Sequence, residues 1–283
     1  MALTLSTNNH RSDIVGLTYV YPVLSRRAGG LSIGINFNVN NACNWRCIYC
    51  QVPNLKIGSA PTLDFLLLEQ ELRGFLSQVF SGEFYQQFQV DAERQVIKDI
   101  AIAGNGEPTS LKEFSQAVDL IGKIAVELGV FPASRYILIT NGSLVHQQRV
   151  QQGLRKLNDY NGEIWFKFDS ADNASRKLIN NAAQSCDAAI KNMAIAAELC
   201  NTKIQTCVFN YQQQSWSPQQ LEAYLSALRE IKNRTAICEV MIYSLARPSA
   251  QPEASDLEKC SEDQLNNLAD CVKQLGYKVS VSY

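Results

Sequence analysis

The chain has 283 residues, a formal net charge of −1 and 46% hydrophobic residues. That length and apolar content can bury one large α/β core, and the balanced charge excludes a strongly basic nucleic-acid binder. No apolar run reaches the length of a membrane span, and residues 1–16 lack the apolar core of a signal peptide, so a cytoplasmic protein without a membrane partner is expected.

In chain order, the pattern predicts one domain: an N-terminal arm over 1–30, a core over 31–250, and a closing helix and strand over 251–283. The arm holds His10 and the basic pair Arg26 and Arg27, which like 232–234 reads as a solvated face. Runs rich in β-branched and aromatic residues predict strands at 31–39, 97–103, 136–139, 164–168, 203–209 and 237–243, each followed by a polar turn and a helical stretch. Helix starts carry capping-box patterns at 110–113, 217–220 and 261–264, the second with proline at the first helical position. After the first of these, Leu111, Phe114, Val118, Ile121, Ile124 and Leu128 share one helical face, which reads as core packing, and Gly129 closes the helix. Six βα units in succession predict an α/β fold with a parallel sheet closed or partly closed into a barrel, a partial (β/α)6 form of the TIM type. In such barrels the chemistry gathers where strands end.

The first predicted strand leads into A-C-N-W-R-C-I-Y-C, with Cys43, Cys47 and Cys50 on one loop. Three thiolates can hold three corners of a [4Fe-4S] cubane and leave one iron open to a small molecule. A structural zinc site is the alternative, but it closes its tetrahedron with four ligands, and His10 and His146, the only histidines, sit in no ligand pair. Tyr49 can lie against a flat heterocycle at the open iron. Cys186, Cys200, Cys207, Cys238, Cys260 and Cys271 are scattered and read as reduced core or surface thiols, with a second cluster as the competing view.

The later strand ends carry polar turns. Gly104, Asn105, Gly106 and Glu107 precede Pro108, a turn where glycine lets backbone approach a ligand and where carbonyls and Glu107 can accept from an ammonium group. Asn141 lies in T-N-G-S, a turn suited to ribose hydroxyls. Lys167 and Asp169 alternate onto one face of the fourth strand, where a charged pair is either salt-bridged or functional. A desolvated lysine there could alternatively attack a carbonyl substrate. Tyr243 and Arg247 follow the sixth strand, and Arg247 could pair with a substrate carboxylate or phosphate or form a surface salt bridge.

The cysteine loop, the G-N-G-E-P turn and the six βα units resemble the radical S-adenosylmethionine (radical SAM) superfamily. The resemblance implies that Cys43, Cys47 and Cys50 hold a [4Fe-4S] cluster whose open iron chelates S-adenosylmethionine, with reductive cleavage giving a 5′-deoxyadenosyl radical. By position, Tyr49 would contact adenine, and Gly104, Asn105, Gly106 and Glu107 would receive the methionine ammonium, with Asn105 replacing the commoner glycine. Asn141, Lys167 and Asp169 would lie near the ribose or the methionine carboxylate. A reductase such as flavodoxin or ferredoxin is the implied electron donor.

The lead-in Y-P-V-L-S-R-R, the L-S-I-G-I-N strand, T-N-G-S-L and Arg247 with Pro248 are similar to wyosine-synthase-like radical SAM proteins, which modify a tRNA guanosine using a second cluster and a lysine. No cysteine precedes Cys43, so the ligands of that second cluster have no counterpart in this sequence, and Lys167 stands where many relatives carry a small polar residue. The expected function is therefore a radical SAM enzyme, with tRNA-base modification as one substrate class. Glycyl-radical-enzyme activation or a small-metabolite substrate is the alternative, and a plain iron–sulfur electron carrier is the alternative outside enzymes.

Overall fold

The structure, a computed structural model, describes residues 15–25 and 29–283. His10, Arg26, Arg27 and most of the expected arm lie outside the described residues. In chain order the elements are β1 (Val20–Ser25), β2 (Gly30–Ile35), β3 (Ala42–Cys43), β4 (Lys56–Ile57), α1 (Phe65–Phe80), α2 (Glu83–Gln87), β5 (Ile97–Ile102), α3 (Phe114–Glu127), β6 (Arg135–Thr140), α4 (Gln148–Asp159) and β7 (Glu163–Lys167). They continue with α5 (Asn173–Asn180), α6 (Cys186–Leu199), β8 (Asn201–Cys207), β9 (Phe209–Tyr211), α7 (Pro218–Arg234), β10 (Glu239–Tyr243), β11 (Leu257–Lys259), α8 (Glu262–Gln274) and β12 (Lys278–Ser282).

One large sheet runs in the order β1-β2-β5-β6-β7-β8-β10-β12. All its neighbours from β2 to β12 pair in parallel. The six expected parallel strands are therefore present as β2, β5, β6, β7, β8 and β10, in chain order across the sheet. Each parallel step needs a crossover, and the helices provide it, so the sheet curls into an open barrel. Two strands extend the expected set. β1, drawn from the segment read as an arm, pairs antiparallel with β2 at one edge, and β12 joins β10 at the other. No ladder joins β1 to β12 among the described residues, which leaves a seam.

Strand alternation sorts the side chains. Ile33, Ile100, Ile102, Leu138, Ile164, Phe166, Ile204, Val240 and Ile242 are buried against the helical layer. There they meet Leu68, Leu72 and Phe75 of α1, Val118 and Ile121 of α3 and Leu228 of α7. The intervening residues face the barrel interior, and near the starts of the strands they form a charge ladder. Asp99 meets Arg135 at 3.7 Å, Arg135 meets Glu163 at 3.6 Å, and Lys203 reaches Glu163 at 2.9 Å and Glu239 at 3.2 Å. Alternating signs let each cation compensate a neighbouring carboxylate as it leaves water.

The capping boxes at Ser217 with Gln220 and Ser261 with Gln264 form as the sequence predicts. The one at Ser110 does not. Residues 108–110 make a 3₁₀ turn, α3 begins only at Phe114, and the Ser110 hydroxyl donates to the Glu107 carbonyl while accepting from the Ala60 amide. The α3 stripe is buried through Ile124, whereas Leu128, at the helix end, is exposed.

At the sheet edge, the carboxylate of Glu71 on α1 is buried and accepts from the backbone amides of Thr18 and Tyr19, each at 2.7 Å, and of Val20 at 3.3 Å. It ties the entry to β1 onto the first helix. Replacing Glu71 with Ala strands these donors and is expected to cost about 3 kcal/mol in urea unfolding; a loss below about 0.5 kcal/mol, the range of ordinary surface changes, would contradict this role.

Candidate cofactor site at the mouth of the barrel

Beyond β2 the chain leaves the sheet earlier than the sequence suggests, because the Asn36 side chain accepts from the backbone amides of Asn38 and Asn105 at 3.0 and 3.1 Å. The cysteine loop that follows has little regular structure and is gripped from several sides. At its base, β3 and β4 form a two-residue parallel ladder, and the Gly58 amide donates to the Cys43 carbonyl at 3.0 Å. From one flank, the end of α5 accepts through the Asn180 carbonyl from the Arg46 amide at 3.1 Å and through the Ile179 carbonyl from the Ile48 amide at 2.8 Å. From another, Asn141 Nδ2 donates to Asn44 Oδ1 at 2.8 Å and Asn44 Nδ2 to Ser143 Oγ at 2.7 Å.

A strap over 247–253 crosses the far end of the loop. The Ala250 amide donates to the Cys50 carbonyl at 2.9 Å, Ser249 Oγ to the Ile48 carbonyl at 2.7 Å and Gln251 Nε2 to the Val52 carbonyl at 2.9 Å. Arg46 closes it with a two-pronged ion pair to Glu253 at 2.9 and 2.6 Å.

Within this grip Cys43, Cys47 and Cys50 are half-buried free thiols. The Trp45 amide donates to Cys43 Sγ at 3.4 Å and Asn180 Nδ2 to Cys47 Sγ at 3.3 Å. Such donors support thiolates that carry charge to a cluster. Burial pushes the Cys43 and Cys47 thiols up to about 12 and raises Cys50 as well. Metal binding therefore has to displace protons from them. Among the described residues, no three His, Cys, Asp or Glu side chains converge on a single metal ion. A cubane does not require such convergence, because each thiolate takes its own iron.

The glycine turn packs directly on the loop's base. Gly104 has a φ of +151° and lies so close to Asn36 that a Cβ would fall 2.4 Å from its Oδ1. A Cβ on Gly106 would fall 2.0 Å from the Ala42 carbonyl oxygen. Asn105 Nδ2 reaches Asn41 Oδ1 at 2.7 Å. Glu107 differs from the expectation. Its carboxylate is buried, with Oε1 accepting from Thr109 N, Thr109 Oγ1 and Thr140 Oγ1 at 3.1, 2.6 and 2.6 Å, and Oε2 from the Asn141 amide at 2.7 Å. Its side chain is committed to joining two turns, which leaves the backbone of 104–106 as the part of the turn free to meet a ligand. Burial raises its pKa, against the pull of the Thr109 and Thr140 hydroxyls.

Opposite the thiols, Tyr49 Oη donates to Asp169 Oδ2 at 2.5 Å, and Tyr49 lies 5.4 Å from Phe209 ring to ring. Asp169 is buried and also accepts from Asn180 Nδ2 at 2.8 Å and the Cys207 amide at 2.9 Å. Lys167 does not form the salt bridge considered for it. Its ammonium donates to Tyr243 Oη at 3.0 Å and stands 5.1 Å from the Tyr49 ring centre. Burial works against this charge, but Tyr243 and Asp169 outweigh it and hold the ammonium well above the ordinary lysine range. A lysine kept protonated is a poor nucleophile toward carbonyls.

Arg247 is half-buried at the end of the site, with its carbonyl accepting from Gln51 Nε2 at 3.4 Å. The cysteines, the two polar turns, Lys167, Asp169 and Tyr243 thus converge on one mouth. Asn44, Asn180, Cys207 and the strap were missed as site residues. For Cys207 a signal existed, because it lies near the end of the strand predicted over 203–209; for Asn180, at the end of a helix far along the chain, none did.

Residues 37–216 match the radical SAM superfamily. The chain is 28% identical to a Brachyspira hyodysenteriae protein described as GTPase Obg, over 54% of this chain and 19% of that protein. It is 29% identical to a UPF0026 protein of Helicobacter pylori, over 53% of this chain and 42% of the other. The matched regions thus span less than half of these relatives. Among solved structures, a radical SAM methyltransferase from Sphaerobacter thermophilus has a similar fold, with a TM-score of 0.64 at 15% identity over 95% of this chain and 71% of that one. The structure of anSMEcpe with bound AdoMet overlays with a TM-score of 0.53 at 17% identity over 88% of this chain and 63% of that one.

Because Gly106 faces backbone rather than a flexible side chain, Gly106→Ala is expected to push the glycine turn off the cysteine loop. The measured consequences are a loss of more than about 2 kcal/mol in unfolding stability and reduced iron incorporation; wild-type stability and iron content in this variant would contradict the packing role.

Proposed function

The chain belongs to the radical SAM superfamily, and from that premise we propose that Cys43, Cys47 and Cys50 hold its [4Fe-4S] cluster, with S-adenosylmethionine seated against the glycine turn at the barrel mouth. Radical SAM enzymes use this cluster and this cofactor and need an electron donor. When bound, the pair supplies a reductive cleavage that yields methionine and a 5′-deoxyadenosyl radical able to take hydrogen from a substrate.

The observation that carries the assignment is the arrangement around the thiols. Three free cysteines on one loop are held from several sides, and Cys43 and Cys47 already receive donors from Trp45 and Asn180. In this reading the backbone carbonyls of Gly104, Asn105 and Gly106 accept the methionine ammonium, and Glu107 acts indirectly by fixing that turn to Asn141. Lys167, a cation without a carboxylate in salt-bridge range among the described residues, balances the methionine carboxylate. Tyr49 is oriented by Asp169 beside the adenine, and the strap and apolar neighbours exclude water from the reacting centre. Tyr243 and Arg247 face the substrate.

Anaerobic reconstitution with iron and sulfide, reduction with dithionite and addition of S-adenosylmethionine are expected to release 5′-deoxyadenosine and methionine. Alanine at Cys43, Cys47 or Cys50 should lower that yield by about 100-fold or more through loss of the cluster. A wild-type protein that takes up iron and is reduced, yet leaves S-adenosylmethionine intact, would identify an electron carrier instead.

A further inference from the structure

We propose that Asn180 raises the reduction potential of the cluster held by Cys47 and so eases its uptake of an electron, acting as a positioning residue through the thiolate; this rests on the radical SAM reading of the site. The first observation is where the amide stands. Asn180 is the last residue of α5 and is fully buried. Its own carbonyl accepts from the Arg46 amide at 3.1 Å, and the Ile179 carbonyl accepts from the Ile48 amide at 2.8 Å, so the helix end is fastened to the residues on both sides of Cys47. With the backbone held there, Asn180 Nδ2 donates to Cys47 Sγ at 3.3 Å.

The second observation is what orients the amide. Nδ2 also donates to Asp169 Oδ2 at 2.8 Å, and Asp169 is itself held by Tyr49 Oη and the Cys207 amide. Turning the amide over would set its oxygen against that carboxylate, so the donor edge stays on the sulfur. Oδ1, at the other end, is buried and has no hydrogen-bond partner among the described residues. An unsatisfied buried acceptor is unfavourable. An apolar side chain of similar size would avoid that cost, and what it would lack is the donor to sulfur.

The consequence for a cluster follows from charge. Reduction by one electron adds negative charge that spreads onto the ligand sulfurs, and a donor aimed at one of them favours the reduced form more than the oxidised one. The Trp45 amide does the same for Cys43, but it belongs to the backbone and survives substitution of the side chain. Asn180 is a side-chain donor from a distant element, and a single substitution removes it.

The test is an anaerobic redox titration of the reconstituted full chain, followed through the electron paramagnetic resonance signal of the reduced cluster. Asn180→Leu is expected to disfavour reduction about tenfold, a potential about 59 mV more negative, with the iron content of wild type. Ser249→Ala removes a hydrogen bond from the strap to the Ile48 carbonyl without touching a sulfur, and its potential should stay with that of wild type. A shift below about twofold, about 18 mV, in Asn180→Leu overturns the proposal, as does an equal shift in Ser249→Ala, which would assign the effect to loosening of the loop. Should Asn180→Leu hold no cluster, wild-type protein labelled with nitrogen-15 at the asparagine side-chain amides decides: electron–nuclear double resonance is expected to show a coupled amide nitrogen at the reduced cluster, and no such coupling overturns the proposal. The functional reading is scored separately by 5′-deoxyadenosine release from the wild-type preparation. Release with an unshifted potential in Asn180→Leu removes the role of Asn180 alone, whereas a wild type that forms no [4Fe-4S] cluster removes the functional reading and this inference with it.

Discussion

The architecture depends on how an irregular loop with three thiols is held still. A cubane tolerates little error in the placement of its ligands, yet the loop has only a two-residue ladder and one internal turn of its own. Its rigidity is borrowed. The end of α5, the glycine turn after β5, the polar turn after β6 and the strap after β10 all spend hydrogen bonds on it. Each comes from the same end of the sheet, because parallel strands joined by helices deliver every following loop to one rim. The barrel therefore serves first as a device for bringing distant segments to one short piece of chain, in keeping with the rule that loops carry function when a scaffold positions them.

Charge is distributed along the barrel in a way that fits this division of labour. Near the strand starts, the ladder from Asp99 to Glu239 pairs its charges across neighbouring strands, and Ser32 adds a hydrogen bond to Asp99. That end resembles a closed floor. At the mouth the balance changes: Asp169 is occupied by Tyr49, Asn180 and Cys207, Glu107 is occupied by two turns, and Lys167 and Arg247 have no carboxylate in salt-bridge range among the described residues. Asp169 still offsets the Lys167 charge through space, but it forms no ion pair with it, so the ammonium is left able to contact an anionic group on a ligand.

What could be read from the sequence was mainly what is decided locally. The six parallel strands follow from runs of β-branched residues, the caps at Ser217 and Ser261 from four-residue patterns, and the thiol site from the spacing of Cys43, Cys47 and Cys50. Features decided by tertiary partners were misread or missed. Ser110 has the pattern of a cap, but its hydroxyl is taken by Glu107 and Ala60. Glu107 looks like a ligand-facing acid until Thr109, Thr140 and the Asn141 amide are seen around it. Asn180 and the strap are far from the cysteines in sequence, and no spacing rule connects them. β1 was read as part of an arm because edge pairing depends on a strand elsewhere in the chain.

The central claim is that the three thiols leave one iron open to S-adenosylmethionine. The most direct measurement is the electron paramagnetic resonance spectrum of the reduced, reconstituted protein before and after that cofactor is added. The account predicts the signal of a reduced [4Fe-4S] cluster whose g values shift on addition, because the cofactor binds the iron without a cysteine. A cluster signal unchanged by saturating S-adenosylmethionine would contradict it.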